Sequence, residues 1–149
     1  MMNPLPKSDR LAQKLALAVP IALLAGAYLS QYGFGLFPCE MCWWQRYPHF
    51  VAVGLALISY AAPAKRTWIG LAALAIAISG AIGAFHAGVE YGWWESPFGC
   101  TSSDPYSLEF VRCDEAAWTL FDISLAGWNA LLSFGSAAAI WTLLAAKER

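Results

Sequence analysis

Charge is what this chain has least of. Only 13% of its 149 residues are Asp, Glu, Lys or Arg, against about a quarter in a soluble domain. It has no basic patch of the kind that binds phosphates, which excludes a nucleic-acid partner. There is no low-complexity tract and no convincing internal repeat. Cysteine occurs four times and never within a long apolar run. What fills the chain is 59% hydrophobic residues, a composition that belongs to an integral membrane protein.

Length fits one domain, 1–149. Leu15 to Pro38 and Ile123 to Ala146 carry no charge. Tyr47 to Ala64 holds only His49, and Thr67 to Val89 only His86. Roughly 20 apolar residues in a helix cross about 30 Å of hydrocarbon. The expected fold class is therefore all-α: a four-helix transmembrane bundle, with spans at about 12–30, 44–62, 67–88 and 124–145. Lys7, Arg10, Lys14, Lys65, Arg66, Lys147 and Arg149 flank the spans on one side. The positive-inside bias makes that side cytoplasmic, with both termini there. Most acids, and all four cysteines, then face the periplasm, where disulfides persist. A basic start followed by Ala25-Gly26-Ala27 also resembles a signal peptide, but the charge-free run continues past that point to Pro38.

Gly80, Ala84 and Gly88 recur every four residues and predict a tightly packed face on the third span. Before the fourth span, Trp118, Phe121 and Leu125 recur at i, i+3 and i+7, which suggests a short helix on the membrane surface. A plain loop docked on the bundle would account for them as well.

Cys39-Glu40-Met41-Cys42 would close a disulfide loop too small to stabilise much, and such pairs are more often redox-active. At a helix start, the unpaired N–H groups favour a Cys42 thiolate. Arg46, one turn on, is the only basic residue between Lys14 and Lys65. Twelve residues separate Cys100 from Cys113. That spacing fits a loop staple or an accessible disulfide open to an incoming thiolate. Structural zinc needs a second close pair or histidines at ligand spacing, so no metal is expected.

Electrons would need somewhere to go. Oxidising a periplasmic dithiol near roughly −120 mV is beyond a thioredoxin-like pair near roughly −270 mV; the gap is about 7 kcal/mol. A membrane protein can reach a stronger oxidant in the lipid, the quinone pool. His86 ends the third span four residues before Glu90. Glu90 could hold one ring nitrogen while the other faces a quinone oxygen.

Taken together, Cys39-x-x-Cys42 followed by Gln45-Arg46, His86 at the end of a span, Ser-Pro-Phe-Gly-Cys100, and Cys113 before Ala126-Gly127-Trp128-Asn129 resemble the bacterial disulfide bond formation protein B (DsbB) family. The resemblance covers nearly the whole chain. It implies an inner-membrane oxidoreductase that reoxidises a periplasmic DsbA-type thiol oxidase and passes the electrons to membrane quinone, ubiquinone before menaquinone. By motif, Cys100–Cys113 would be the disulfide attacked by the partner, and Cys39–Cys42 the one reoxidised by quinone. Arg46 and His86 would belong to the quinone site. The short Cys100–Cys113 stretch, and glutamine rather than an acid before Arg46, depart from the family pattern. Two other readings stay open on the residues: a tetraspan scaffold with structural disulfides, and a vitamin K epoxide reductase-like or other transmembrane thiol carrier.

Overall fold

The computed structural model describes residues 4–97 and 111–146. Cys100 lies outside them. Four helices follow one another: α1 (Lys7–Gly33), α2 (Glu40–Ala61), α3 (Lys65–Glu90) and α4 (Leu125–Ala145). Each packs on the next, and α4 closes against α1, so the four make a ring with little contact across its α1–α3 diagonal. Pro20 is accommodated within a continuous α1. That helix runs past Gln31 and stops only at Gly33, just before Gly35 turns the chain at φ 68°.

Three helices, α1, α3 and α4, are long and apolar enough to cross a membrane. The second, α2, completes the ring but carries Glu40, Arg46, His49 and a run of aromatics in its first half. The packing is inverted relative to a soluble bundle. Its interior is small: Ala12, Ala16, Ala52, Ala56, Ala72 and Ala73 are all fully buried. Leu29, Val51, Leu57 and Leu131 face outward. Lipid tails are as apolar as leucine, so close backbone approach by small residues drives the association instead.

The small face of α3 differs from the expected one. Gly80 and Gly83 meet α4, whereas Ala84 is exposed. A 3.6-residue turn carries position 84 away from the contact that 80 and 83 share.

One end of the ring is basic. Arg66, in the first turn of α3, binds both Asp9 of α1 and the Leu144 carbonyl of α4. Alongside, Gln13 Nε2 donates to Ser59 Oγ at 3.0 Å and to the Ser59 carbonyl at 3.1 Å. The opposite end carries Cys39, Cys42 and Cys113 and a belt of aromatics, including Tyr32, Phe34, Trp93 and Trp94.

No helix forms at 116–124. Residues Thr119–Leu120 (β1) and Ile123–Ser124 (β2) pair as a two-residue antiparallel hairpin. Phe121 and Asp122 turn it at φ 53° and 60°, the geometry of a type I′ turn. Ser124 decides the outcome: its Oγ accepts from the Gly127 amide and caps α4. The fourth helix therefore starts at Leu125, and Trp118 and Phe121 never share a helix with it. Tyr91 clasps the hairpin by donating to the Asp122 carbonyl at 2.6 Å.

Candidate functional site

The site begins where α2 begins. Cys39 is the N-cap residue and Cys42 stands in the first turn. Their sulfurs lie 3.4 Å apart. Cys113 comes from a distant loop, yet its sulfur, that of Cys39 and His86 Nε2 all lie within 4.8 Å of one another. Cys39 and Cys113 are buried and Cys42 is half-buried. The Met41 amide, at the start of α2, faces the Cys113 sulfur. The positive end of the helix is thus turned on the sulfurs. The neighbouring Cys39 sulfur and burial together push the Cys113 thiol well above the usual thiol range.

His86 is held among the sulfurs. Its Nδ1 lies 2.9 Å from Gln45 Nε2, an amide donor, so Nδ1 accepts and Nε2 carries the hydrogen. That Nε2–H points toward the Cys113 carbonyl at 3.1 Å and the Cys39 sulfur at 3.6 Å. Glu90 Oε1 lies 3.6 Å from the same nitrogen. The expectation that Glu90 holds one nitrogen while the other reaches a quinone is therefore corrected: Gln45 takes the other. The protonated Nε2 also opposes metal ligation, although Cys39, His86 and Cys113 stand close enough to hold an ion.

Gln45 opens a buried polar layer. Its Oε1 accepts from Asn129 Nδ2 at 2.9 Å. The same Asn129 nitrogen donates to Ser79 Oγ at 3.1 Å. Asn129 Oδ1 is thereby the acceptor for Ser133 Oγ and for His49 Nε2, both at 3.0 Å. Side-chain amides cannot pass a proton along without changing tautomer. The layer therefore fixes which nitrogen of each histidine is protonated, and it does so with every amide oriented.

On the other side of α2 lies a cavity of about 280 Å³, between α1 and α4. Its walls are mainly apolar, with Leu23, Gly26, Ala27, Trp128 and Leu132 among them. Ser30, Cys42, Gln45, Arg46, His49 and Asn129 supply the polar part. His86 is not in this wall, because it approaches α2 from the neighbouring α3, on the side away from α1. Arg46 is buried. Its guanidinium donates to Gln31 Oε1 at 2.8 Å and lies 4.7 Å from the Tyr28 ring centre and 4.6 Å from that of Trp43. Among the described residues no carboxylate lies within ion-pair distance of it. A buried cation held only by neutral groups is a site for developing negative charge.

The sequence profile of the family described as disulfide bond formation protein DsbB matches residues 9–143. This chain belongs to the DsbB family. It is 32% identical to Disulfide bond formation protein B of Azoarcus sp. (strain BH72), over 99% of this chain and 100% of the relative. It is 31% identical to Disulfide bond formation protein B of Verminephrobacter eiseniae (strain EF01-2), over 87% of this chain and 82% of the relative. No solved structure matches it. The family is membrane-bound and forms disulfides, which agrees with three spanning-length helices and a cysteine cluster at their ends. Structural disulfides on a tetraspan scaffold are not favoured by this membership.

Gln45, Asn129, Ser79 and His49 escaped the sequence reading as site residues. Gln45 and Asn129 stood inside recognised motifs without a role of their own. His49 carried one signal, a titratable residue alone in a charge-free run.

Proposed function

We propose that this DsbB-family chain is a quinone-dependent thiol–disulfide oxidoreductase that reoxidises a periplasmic DsbA-type dithiol protein. It is a single domain, 1–149, in the bacterial inner membrane. All four helices span, both termini are cytoplasmic, and the cysteine loops are periplasmic. Basic residues gathered at one end of the ring and sulfurs at the other support that orientation.

The observation that carries the function is the position of Cys42. It touches Cys39 on one side and forms part of the cavity wall with Arg46 on the other. In the first step a partner thiolate attacks Cys100–Cys113, bonds to Cys100 and releases Cys113 as thiolate. The partner's second thiolate then displaces Cys100 and leaves as a disulfide. Cys113 attacks Cys39 of the Cys39–Cys42 disulfide, forming Cys39–Cys113 and releasing Cys42 with the electron pair. Cys100 thiolate then attacks Cys113, restoring Cys100–Cys113 and releasing Cys39 as thiolate, which re-forms its bond to Cys42 as the electron pair passes to the acceptor. His86 Nε2–H stands beside Cys39, where it steadies sulfur that carries charge. Arg46, one turn from Cys42, stabilises negative charge in the cavity.

A quinone, when bound, supplies an acceptor of two electrons and two protons. The residues fit such a ring: apolar walls, an uncompensated cation, and open space beyond Gly26, where an added Cβ would meet nothing within 4 Å. Cys39, Cys42, Cys100 and Cys113 are thus the catalytic residues and Arg46 the cavity cation. His86 serves the quinone site from the sulfur side rather than from its wall.

The test mixes purified protein with reduced DsbA-type protein and a short-chain ubiquinone, following quinone absorbance. Cys39→Ser and Cys42→Ser should abolish turnover. Wild-type turnover in Cys39→Ser would overturn this order of transfer.

A further inference from the structure

Aromatic side chains from two helices converge on one buried cation. The central carbon of the Arg46 guanidinium lies over the Tyr28 ring, 4.7 Å from its centre, and over the Trp43 ring, 4.6 Å from its centre. Trp43 stands three residues earlier on α2, on the same side of the helix as Arg46. Tyr28 comes from α1. Each ring is braced by another one turn on. Tyr28 stacks on Tyr32 with 5° between the planes, and Trp43 meets Tyr47 at 6.4 Å.

A ring face attracts a cation through its quadrupole but carries no formal charge. It offsets part of the cost of burying the guanidinium without cancelling the charge. A carboxylate would cancel it. Gln45, which stands where the family pattern has an acid, commits its oxygen to Asn129 instead. Rings against the face of the guanidinium leave its edge for hydrogen bonds. Along that edge Nη1 donates to Gln31 Oε1 at 2.8 Å and Nη2 to the Ala27 carbonyl at 3.4 Å. Nε–H has no partner among the described residues, and it is not sealed in the fold as His49 Nδ1 is. Arg46 and Ala27 both line the cavity; Tyr28 and Trp43 do not.

We propose that Tyr28 and Trp43 are positioning residues for the cavity cation. Their faces keep the Arg46 guanidinium un-neutralised and fix its plane, so that its N–H edge meets an acceptor oxygen as that oxygen gains negative charge. The ligand class that follows is a planar dione, held most tightly where one oxygen is anionic. This rests on assigning the cavity to a quinone. Neither ring forms part of the cavity wall, so both act through Arg46.

The experiment uses the whole chain with its cysteines oxidised, so that no electrons pass. Calorimetric affinities are compared for 2-hydroxy-1,4-naphthoquinone, ionised at neutral pH, and its methyl ether, which is neutral and of similar size. Wild type should bind the anion roughly tenfold more tightly than the ether. Arg46→Gln should bind the two equally. Tyr28→Leu should keep less than about a third of the preference, whereas Tyr28→Phe, which retains the ring face, should stay within about twofold of wild type. Loss of packing alone would weaken both probes together and leave their ratio unchanged. A ligand-free readout accompanies the titrations. Nitrogen-15 spectra should show the Arg46 N–H protons shifted upfield by the rings, and less so in Tyr28→Leu and Trp43→Leu. Equal binding of the two probes by wild type, or a ratio that survives in Tyr28→Leu, overturns the proposal. If wild type binds neither probe while the Arg46 protons stay shifted, the quinone assignment fails and the ring contacts stand.

Discussion

Asn129→Ala tests whether the buried polar layer sets the chemistry at both of its ends. The side chain joins α4 to α2 and α3 through Gln45, Ser79, His49 and Ser133. Ser79 keeps its bond to the Gln45 carbonyl at 2.7 Å when Asn129 is removed, and the Ser133 hydroxyl is free to rotate. Gln45 Oε1 and His49 Nε2–H lose their partners outright. Two orphaned groups at about 1–3 kcal/mol each give about 2–6 kcal/mol. Interhelical hydrogen bonds in membranes measure less, about 0.6 kcal/mol on average and about 1.7 at most, because the unfolded chain finds other partners. The lower figure governs here, since Asn129 borders the cavity and water can reach the gap. The expected loss is about 2 kcal/mol in an SDS–detergent unfolding titration. A double-mutant cycle with Gln45→Ala should show coupling of about 1 kcal/mol. The chemical consequence is more specific. Without Asn129 the Gln45 amide is held only through Nε2, by the Met41 carbonyl at 3.2 Å and by His86; a flip that breaks the Met41 bond would present its oxygen to His86 Nδ1 and move the His86 hydrogen away from Cys39. Nitrogen-15 spectra of the histidine side chains should report that change of tautomer. A loss below about 0.3 kcal/mol, with both histidines unchanged, would refute the role given to this layer.

The remaining predictions concern the cavity, the helix contact and the cluster. Gly26→Phe should fill the cavity and lower acceptor-dependent turnover at least tenfold, while thiol exchange with the reduced partner continues; equal loss of both would show that the substitution damaged the fold instead. Gly83→Ala should cost about 1–3 kcal/mol, because its Cβ would stand 2.9 Å from the Ala126 carbonyl oxygen; Gly26→Ala, with open space, should cost nothing in the same thermal melt. In fully reduced protein, Cys42 should be alkylated before Cys113. The Cys113 rate should keep climbing about tenfold per pH unit from pH 7 to 9, because its pKa is raised and only the thiolate reacts. Levelling of that rate near pH 8.5, followed by peptide mapping, would contradict the environment described for it.

The amino-acid order alone determined that the chain is built of long apolar helices, and which end carries the charge. Both are properties of runs: twenty uncharged residues need no knowledge of their neighbours. Cys39 and Cys42 were legible for the same reason, since their spacing is local. Contacts between distant segments were not. Cys113 reaches Cys39 only because its loop folds back over the start of α2. Gln45 and Asn129, 84 positions apart, meet only because α2 and α4 both pack against α3. The surface helix failed because helical periodicity ignores capping, and the Ser124 cap starts α4 at Leu125, well past Trp118 and Phe121. His86 shows the division most clearly. Its place near the end of a charge-free run marked it as functional, but only the packing of α3 against α2 decided that it faces sulfur, and only Gln45 decided which nitrogen carries the hydrogen.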